Sequence, residues 1–112
     1  MNVAIKNLDD TTIAEISGDI DGSTAPMAQQ QVLSAIKGGS NVVLDLSNVP
    51  YMSSAGLRML LSTYRQVTNS GGKIVFVGVV DEIKDTMEVT GFLKFFTLAE
   101  TLDDAMVTLA GN

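Results

Sequence analysis

The stretch from residue 42 to residue 65 constrains the fold of this chain more than any other. An apolar run, residues 42–46, predicts a buried strand, and a turn built on Ser47, Asn48 and Pro50 follows it. Next comes the small polar run Ser53-Ser54-Ala55-Gly56, and behind it apolar residues return at helical spacing. A helix that begins directly after such a loop leaves N–H groups and the positive end of its dipole at the surface. The stretch therefore predicts a strand–loop–helix unit that offers two adjacent hydroxyls for recognition or chemistry.

The rest of the chain alternates strands and helices. Residues 3–8 and 12–17 predict two strands of a hairpin that turns at Asp9-Asp10. A first helix is predicted from Ala25 to Gly38, with Ser23 or Thr24 as its cap, and a second over residues 54–69. A third runs from Asp81, as cap, to Gly91, with Ile83, Met87 and Thr90 on its inner side. The last begins at Thr101, and the spacing of Thr101 and Asp104 predicts a capping box. Further strands are predicted over 73–80 and 92–98.

This order predicts an α/β fold in a single domain, residues 1–112. Strands that alternate with helices favour parallel neighbours, and the N-terminal hairpin adds an antiparallel pair. We expect a mixed sheet of four to five strands with about four helices, with the hairpin at one edge. Linkers are short throughout, so no second domain is predicted.

Composition excludes several classes of function. The chain has no histidine and no cysteine, which removes the Ser-His-Asp triad, thiol chemistry and most zinc and iron sites. Its net charge is −6 and it has only seven Lys and Arg, so neither nucleic acid nor an anionic membrane surface is an expected partner. No signal peptide or membrane-spanning run is recognisable, so we expect a cytoplasmic protein.

Three interpretations of Ser53 and Ser54 compete at this stage. A catalytic nucleophile would need a base, and the loop lacks the upstream glycine of a nucleophile elbow, so an enzyme is not expected. A purely structural role is helix capping, for which serine is well suited. The third is a phosphorylation switch, in which an added charge of about −1.5 to −2 repels a docked partner without changing the fold.

Asp19 and Asp21 are candidate metal ligands or a recognition edge. Two carboxylates alone make a weak metal site, and no cofactor or phosphate-binding P-loop is expected.

The central run resembles the signature of the STAS domain, and specifically of the bacterial anti-sigma-factor antagonists. The resemblance rests on Asp45-Leu46-Ser47, Val49, the run from Tyr51 to Leu57, Gly18-Asp19-Ile20-Asp21, Gly71-Gly72-Lys73 and Thr90-Gly91-Phe92. It implies a protein that, when unphosphorylated, binds an anti-sigma factor that is also a GHKL-type serine kinase, and so frees a sigma factor. It also implies that phosphorylation at the helix start ends the binding and that a PP2C-type phosphatase restores it.

Aligned on Gly56-Leu57, the resemblance places the phosphate acceptor at Ser54, with Ser53 as the alternative. The family's acidic residue before the acceptor falls on Ser53, so this carboxylate is missing here, and Asp21 matches an acidic residue beside the loop. The partner surface is expected to include Asp21, Ser53, Ser54, Ala55 and Gly56, together with Arg58 and Met59, which the helical pattern points outward. The alternative function is a STAS module in another signalling complex or a transport-system accessory subunit.

Overall fold

The computed structural model describes residues 1–111, and Asn112, the last residue of the predicted domain, lies outside them. The elements follow the predicted order of two strands and then alternating helices and strands. They are β1 Asn2–Leu8, β2 Thr11–Ser17, α1 Ala25–Ala35, β3 Asn41–Asn48, α2 Ser54–Asn69, β4 Ile74–Val77, α3 Asp81–Thr90, a 3₁₀ turn Leu93–Phe95, β5 Leu98–Ala99 and α4 Leu102–Ala110.

The five strands form one mixed sheet in the order β1-β2-β3-β4-β5. β1 and β2 are antiparallel, whereas β2, β3, β4 and β5 run parallel to their neighbours. The hairpin turns at Asp9, whose φ of 55° lies in the left-handed region that aspartate tolerates better than most residues. The predictions of an α/β fold, a mixed sheet and an N-terminal hairpin at the sheet edge are thus confirmed.

Helices cover the two faces of the sheet unequally, and this asymmetry determines where the core lies. Side chains alternate along each strand, so Val42, Leu44 and Leu46 join the larger core, while Val43 faces the other way. The larger core packs against α1, α2 and α3. The smaller core lies under α4, around Ala105 and Leu109.

Several local predictions are wrong. Strand β3 extends through Ser47 and Asn48, where a turn was expected, and α1 ends at Ala35, before the predicted end at Gly38. Residues 92–98 were expected to be a strand but form the 3₁₀ turn and a two-residue β5, because Phe96 turns into the core and packs on Phe76, with ring centroids 4.6 Å apart. Strand β4 stops at Val77, short of residue 80. Asp81 is the first residue of α3 and makes no cap bond, and Thr90 is exposed.

The ends of the helices show which of the other cap predictions hold. Thr24 precedes α1 but makes no side-chain cap bond to it. The Asp21 carboxylate instead accepts hydrogen bonds from the N–H groups of Ser23 and Thr24, just ahead of the helix. Thr101 does cap α4, since its hydroxyl accepts a hydrogen bond from the N–H of Asp104 at 3.1 Å. Gly91 ends α3 with a φ of 82°, as a left-handed C-cap glycine does.

Candidate functional site

Two loops lie side by side at the carboxyl edge of the parallel sheet, one after β2 and one after β3. The N–H of Ile20 donates to the carbonyl of Tyr51 at 3.1 Å, and the N–H of Ser53 donates to the carbonyl of Ile20 at 2.9 Å. Ile20 and Met52 form a parallel bridge between the loops. This pairing holds Asp21, the residue after Ile20, next to the start of α2, so the structure brings together two segments that lie far apart in the sequence.

Gly56 lies in the first turn of α2 and is buried against the neighbouring loop. A Cβ at this position would lie 2.4 Å from Cγ of Met52 and 2.9 Å from the carbonyl oxygen of Ile20. Its small size therefore allows close packing of α2 on the β2 loop. The expectation that Gly56 belongs to the surface open to a partner is wrong, and only Ala55 of the Ala-Gly pair is partly exposed.

The two serines occupy different positions at the helix start. Ser53 is the N-cap of α2, with extended backbone, and its hydroxyl accepts a hydrogen bond from the N–H of Gly56 at 3.4 Å. Ser54 is the first helical residue and is exposed, and no hydrogen bond from residues 1–111 engages its hydroxyl. One serine therefore stabilises the helix while the other presents a hydroxyl to solvent.

Asp21 organises the loop between β2 and α1. Its Oδ1 accepts hydrogen bonds from the hydroxyl and the N–H of Ser23, at 2.8 and 2.9 Å, and from the N–H of Thr24 at 3.1 Å. The hydroxyl of Ser23 and these N–H groups lower the pKa of the Asp21 carboxyl, because they stabilise its charged form. Asp19 is exposed, and within the described chain no three acidic side chains are grouped closely enough to hold a metal ion.

Arg58 and Met59 were both expected to point outward, and only Arg58 does. Met59 is 4% exposed and belongs to the main core. It lies on the same side of α2 as buried Gly56 and Thr63, at positions i−3 and i+4. The buried stripe of α2 is wide because the helix packs on both the sheet and α1.

Two exposed apolar side chains near these loops were missed by the sequence reasoning. Tyr51 is 54% exposed, and its carbonyl accepts the hydrogen bond from Ile20. Met27, in the first turn of α1, is 55% exposed. The sequence did indicate the exposure of Tyr51. This aromatic residue lies in a polar loop two positions before Ser53, where neither a helical nor a strand pattern would bury it. We refer to Asp21, Tyr51, Ser54, Ala55 and Arg58 together as the switch surface, after the phosphorylation switch that the sequence analysis expects there.

The fold and this site define a class of small α/β domain, in which the paired loops after β2 and β3 lie beside an exposed serine at one edge of the sheet. The family model for the STAS domain matches residues 2–105, and the chain belongs to this family. Its members are generally binding and regulatory modules. Among the described residues, none of the helices has the length and apolar character needed to cross a membrane.

Relatives and solved structures agree with this assignment. A putative anti-sigma factor antagonist, BtrV of Bordetella bronchiseptica, is 29% identical over 106 residues, which cover 94% of this chain and 91% of BtrV. The crystal structure of an anti-sigma factor antagonist from Mycobacterium paratuberculosis superposes with a TM-score of 0.86 at 29% identity, covering 97% of this chain and 93% of that protein. The phosphorylated form of the Bacillus cell fate determinant SpoIIAA has the same fold, with a TM-score of 0.68 at 13% identity over 94% of this chain and 96% of SpoIIAA.

Proposed function

We propose that this chain is an anti-sigma-factor antagonist whose binding is switched by phosphorylation of Ser54. When unphosphorylated, it binds an anti-sigma factor that is also a GHKL-type serine kinase, and a sigma factor is released. The kinase then phosphorylates Ser54 and binding ends, until a PP2C-type phosphatase removes the phosphate. The chain, residues 1–112 as one STAS domain, acts in the cytoplasm by binding and not by catalysis.

The observation that carries this proposal is the different use of the two serines. Ser53 is engaged as the cap of α2, whereas the hydroxyl of Ser54 is exposed and unengaged within the described chain. A kinase can therefore reach Ser54 without disturbing the helix start. The names of the relatives, anti-sigma factor antagonists in several bacteria, support the same role.

The switch surface has the composition of a docking face for the anti-sigma factor. Tyr51 offers exposed aromatic area, and aromatic residues are enriched at the centres of protein interfaces. Arg58 and Asp21 belong to it as charges of opposite sign, and Arg58 has no ion-pair partner among residues 1–111. A phosphate on Ser54 would add about −1.5 to −2 charges to this face, which already carries the carboxylate of Asp21. A partner docked there would experience steric conflict, repulsion and desolvation.

Two of the residues expected on the partner surface have another role in this proposal. Met59 and Gly56 are both buried, so they contribute to the switch surface through packing and not through contact with a partner. They hold the start of α2 in the position from which Ser54 is presented.

Mass spectrometry on the protein purified from its native cells tests the site directly. We expect one phosphate on the wild type, its loss in Ser54→Ala and its retention in the matched control Ser53→Ala. Retention in Ser54→Ala would move the acceptor to another residue, with Ser53 the first alternative. Absence of phosphate under every growth condition would favour the alternative function, a STAS module in another signalling complex or a transport-system accessory subunit.

A binding assay with the native GHKL kinase tests the partner. We expect the unphosphorylated chain to bind the kinase and the phosphorylated chain to lose that binding, with Val107→Ala, remote from the switch surface on α4, as a control that keeps it. Equal binding by both forms would contradict the switch even if Ser54 is phosphorylated.

A further inference from the structure

Strand β1 forms a long open edge of the sheet. It has seven residues, six of which are exposed, and in the described part of the chain no strand pairs with its outer side. Ile5 and Leu8 on this strand are 37% and 48% exposed. The opposite edge, β5, has only two residues, which is one way in which proteins protect an edge from pairing. The β1 edge therefore offers unpaired backbone groups together with apolar side chains.

Strand β1 itself carries no acidic side chain, although the chain as a whole is acidic. The net charge is −6, yet the first acidic residue is Asp9, beyond the end of β1. Helix α1, which packs beside β1 and β2, has no charged residue at all. Two copies of an acidic protein repel each other least through such a surface.

A lysine on an edge strand usually discourages pairing with another strand, but the positive charge of Lys6 is balanced by a carboxylate of the same chain. Its Nζ lies 2.8 Å from Oε1 of Glu15 on β2, and this hydrogen bond raises the pKa of Lys6. The edge is consequently close to neutral in charge and suited to a second strand.

We propose that two copies of this chain pair through their β1 strands, antiparallel, about a two-fold axis at Ile5. Ile5 is the midpoint of β1, so this register alone pairs all seven residues of both strands. It places Ile5 against Ile5 of the second copy, which covers an exposed apolar side chain. It also places Lys6 opposite Ala4 of the second copy.

The register is complementary in charge as well as in shape. Within one chain Ala4 pairs with Glu15, on the same face of the sheet as Lys6. Lys6 of one copy would therefore reach across the small Ala4 side chain to Glu15 of the second copy, while it also contacts its own Glu15. Each lysine then lies between two carboxylates. In such a dimer the two switch surfaces lie at opposite ends of a continuous sheet, so each copy remains open to its own partner.

Sedimentation velocity over a range from about 1 µM to about 1 mM tests the dimer. We expect the wild type to show a reversible monomer–dimer equilibrium. Ile5→Lys puts like charges opposite each other at the axis and should lower the association constant at least about tenfold. Val107→Lys makes the same change at a side chain that is 71% exposed on α4, and should leave the association constant unchanged. A wild type that stays monomeric throughout, or an equal response to both variants, would overturn the proposal.

A charge exchange tests the register itself. Lys6→Glu and Glu15→Lys should each abolish self-association, because each leaves only like charges across the axis. A mixture of the two variants should form a heterodimer, since the carboxylate introduced at position 6 of one chain then faces the ammonium introduced at position 15 of the other. A purely intramolecular role for the Lys6–Glu15 pair cannot produce this recovery, so its absence would refute the β1 register. Circular dichroism of each variant establishes that the monomers are folded.

Discussion

Gly56→Ala is the sharpest test of how the start of α2 is held against the β2 loop. The added Cβ would lie 2.4 Å from Cγ of Met52 and 2.9 Å from the carbonyl oxygen of Ile20, and both distances are below contact. The carbonyl is backbone, and Met52 is only 7% exposed, so neither neighbour can move away freely. Helix α2 must shift outward, or the β2 loop must yield.

The size of the stability change on Gly56→Ala follows from two opposing effects. Overpacking a tight site costs about 1–3 kcal/mol, and two contacts below 3 Å, one of them to backbone, put this site at the upper end. Alanine gains about 1 kcal/mol over glycine in a helix. We therefore expect the free energy of unfolding to fall by about 2 kcal/mol, and Tm by about 8 °C at about 4 °C per kcal/mol.

Urea unfolding followed by circular dichroism measures this change in the free energy of unfolding. Gly22, in the loop between β2 and α1, offers a matched control. Nothing lies within 4 Å of a Cβ built on Gly22, so Gly22→Ala should change the free energy of unfolding by less than about 1 kcal/mol. If Gly56→Ala proved as stable as the wild type, or stabler, the close approach of α2 to Ile20 would be wrong and with it the placement of Asp21 beside Ser53.

Three further predictions concern the caps and the loop carboxylate. In urea titrations, Ser53→Asp should keep the free energy of unfolding within about 0.5 kcal/mol of the wild type, because aspartate caps a helix as well as serine does. Ser53→Ala should lower it by about 1 kcal/mol. Equal losses in the two variants would argue against the cap. Asp21→Asn should destabilise the fold at neutral pH but not in acid. The pKa of Asp21 is lowered from 3.8, so its stabilisation is present above that pH and disappears as pH falls through the folded-state pKa; a pH-independent difference between variant and wild type would contradict this. Thr101→Ala should cost about 1 kcal/mol through loss of the α4 cap, with Thr101→Ser retaining it, and thermal unfolding distinguishes the two.

Local pattern was enough to predict most elements. The bounds of α2, Ser54–Asn69, agree with residues 54–69 as predicted, because a serine cap opens the helix and glycines follow its end. Periodicity of two and of 3.6 residues likewise placed the hairpin and the remaining helices. These features depend on neighbours in sequence, which the sequence displays directly.

Features that depend on distant neighbours were not predictable in the same way. The burial of Met59 requires knowing that α2 packs on α1 as well as on the sheet, which widens its buried stripe. The role of Gly56 requires knowing that the carbonyl of Ile20 lies against it, although 36 positions separate the two residues in the chain. For the same reason, the local sequence does not place Asp21 near the serines. Their proximity depends on the hydrogen bonds between the loops after β2 and β3.

The geometry of the helix start allows either serine or aspartate at position 53, where the resemblance places an acidic residue of the family. The Ser53 position needs a side-chain oxygen that turns back to the N–H of Gly56, and serine and aspartate meet that need equally well. The exchange therefore costs little in stability and removes one negative charge beside Ser54. Under the proposed switch, Asp21 is the carboxylate that the loop pairing keeps beside the helix start, through the Ser53–Ile20 hydrogen bond. A phosphate on Ser54 would lie at the positive end of α2, so the domain would tolerate a charge that the partner does not.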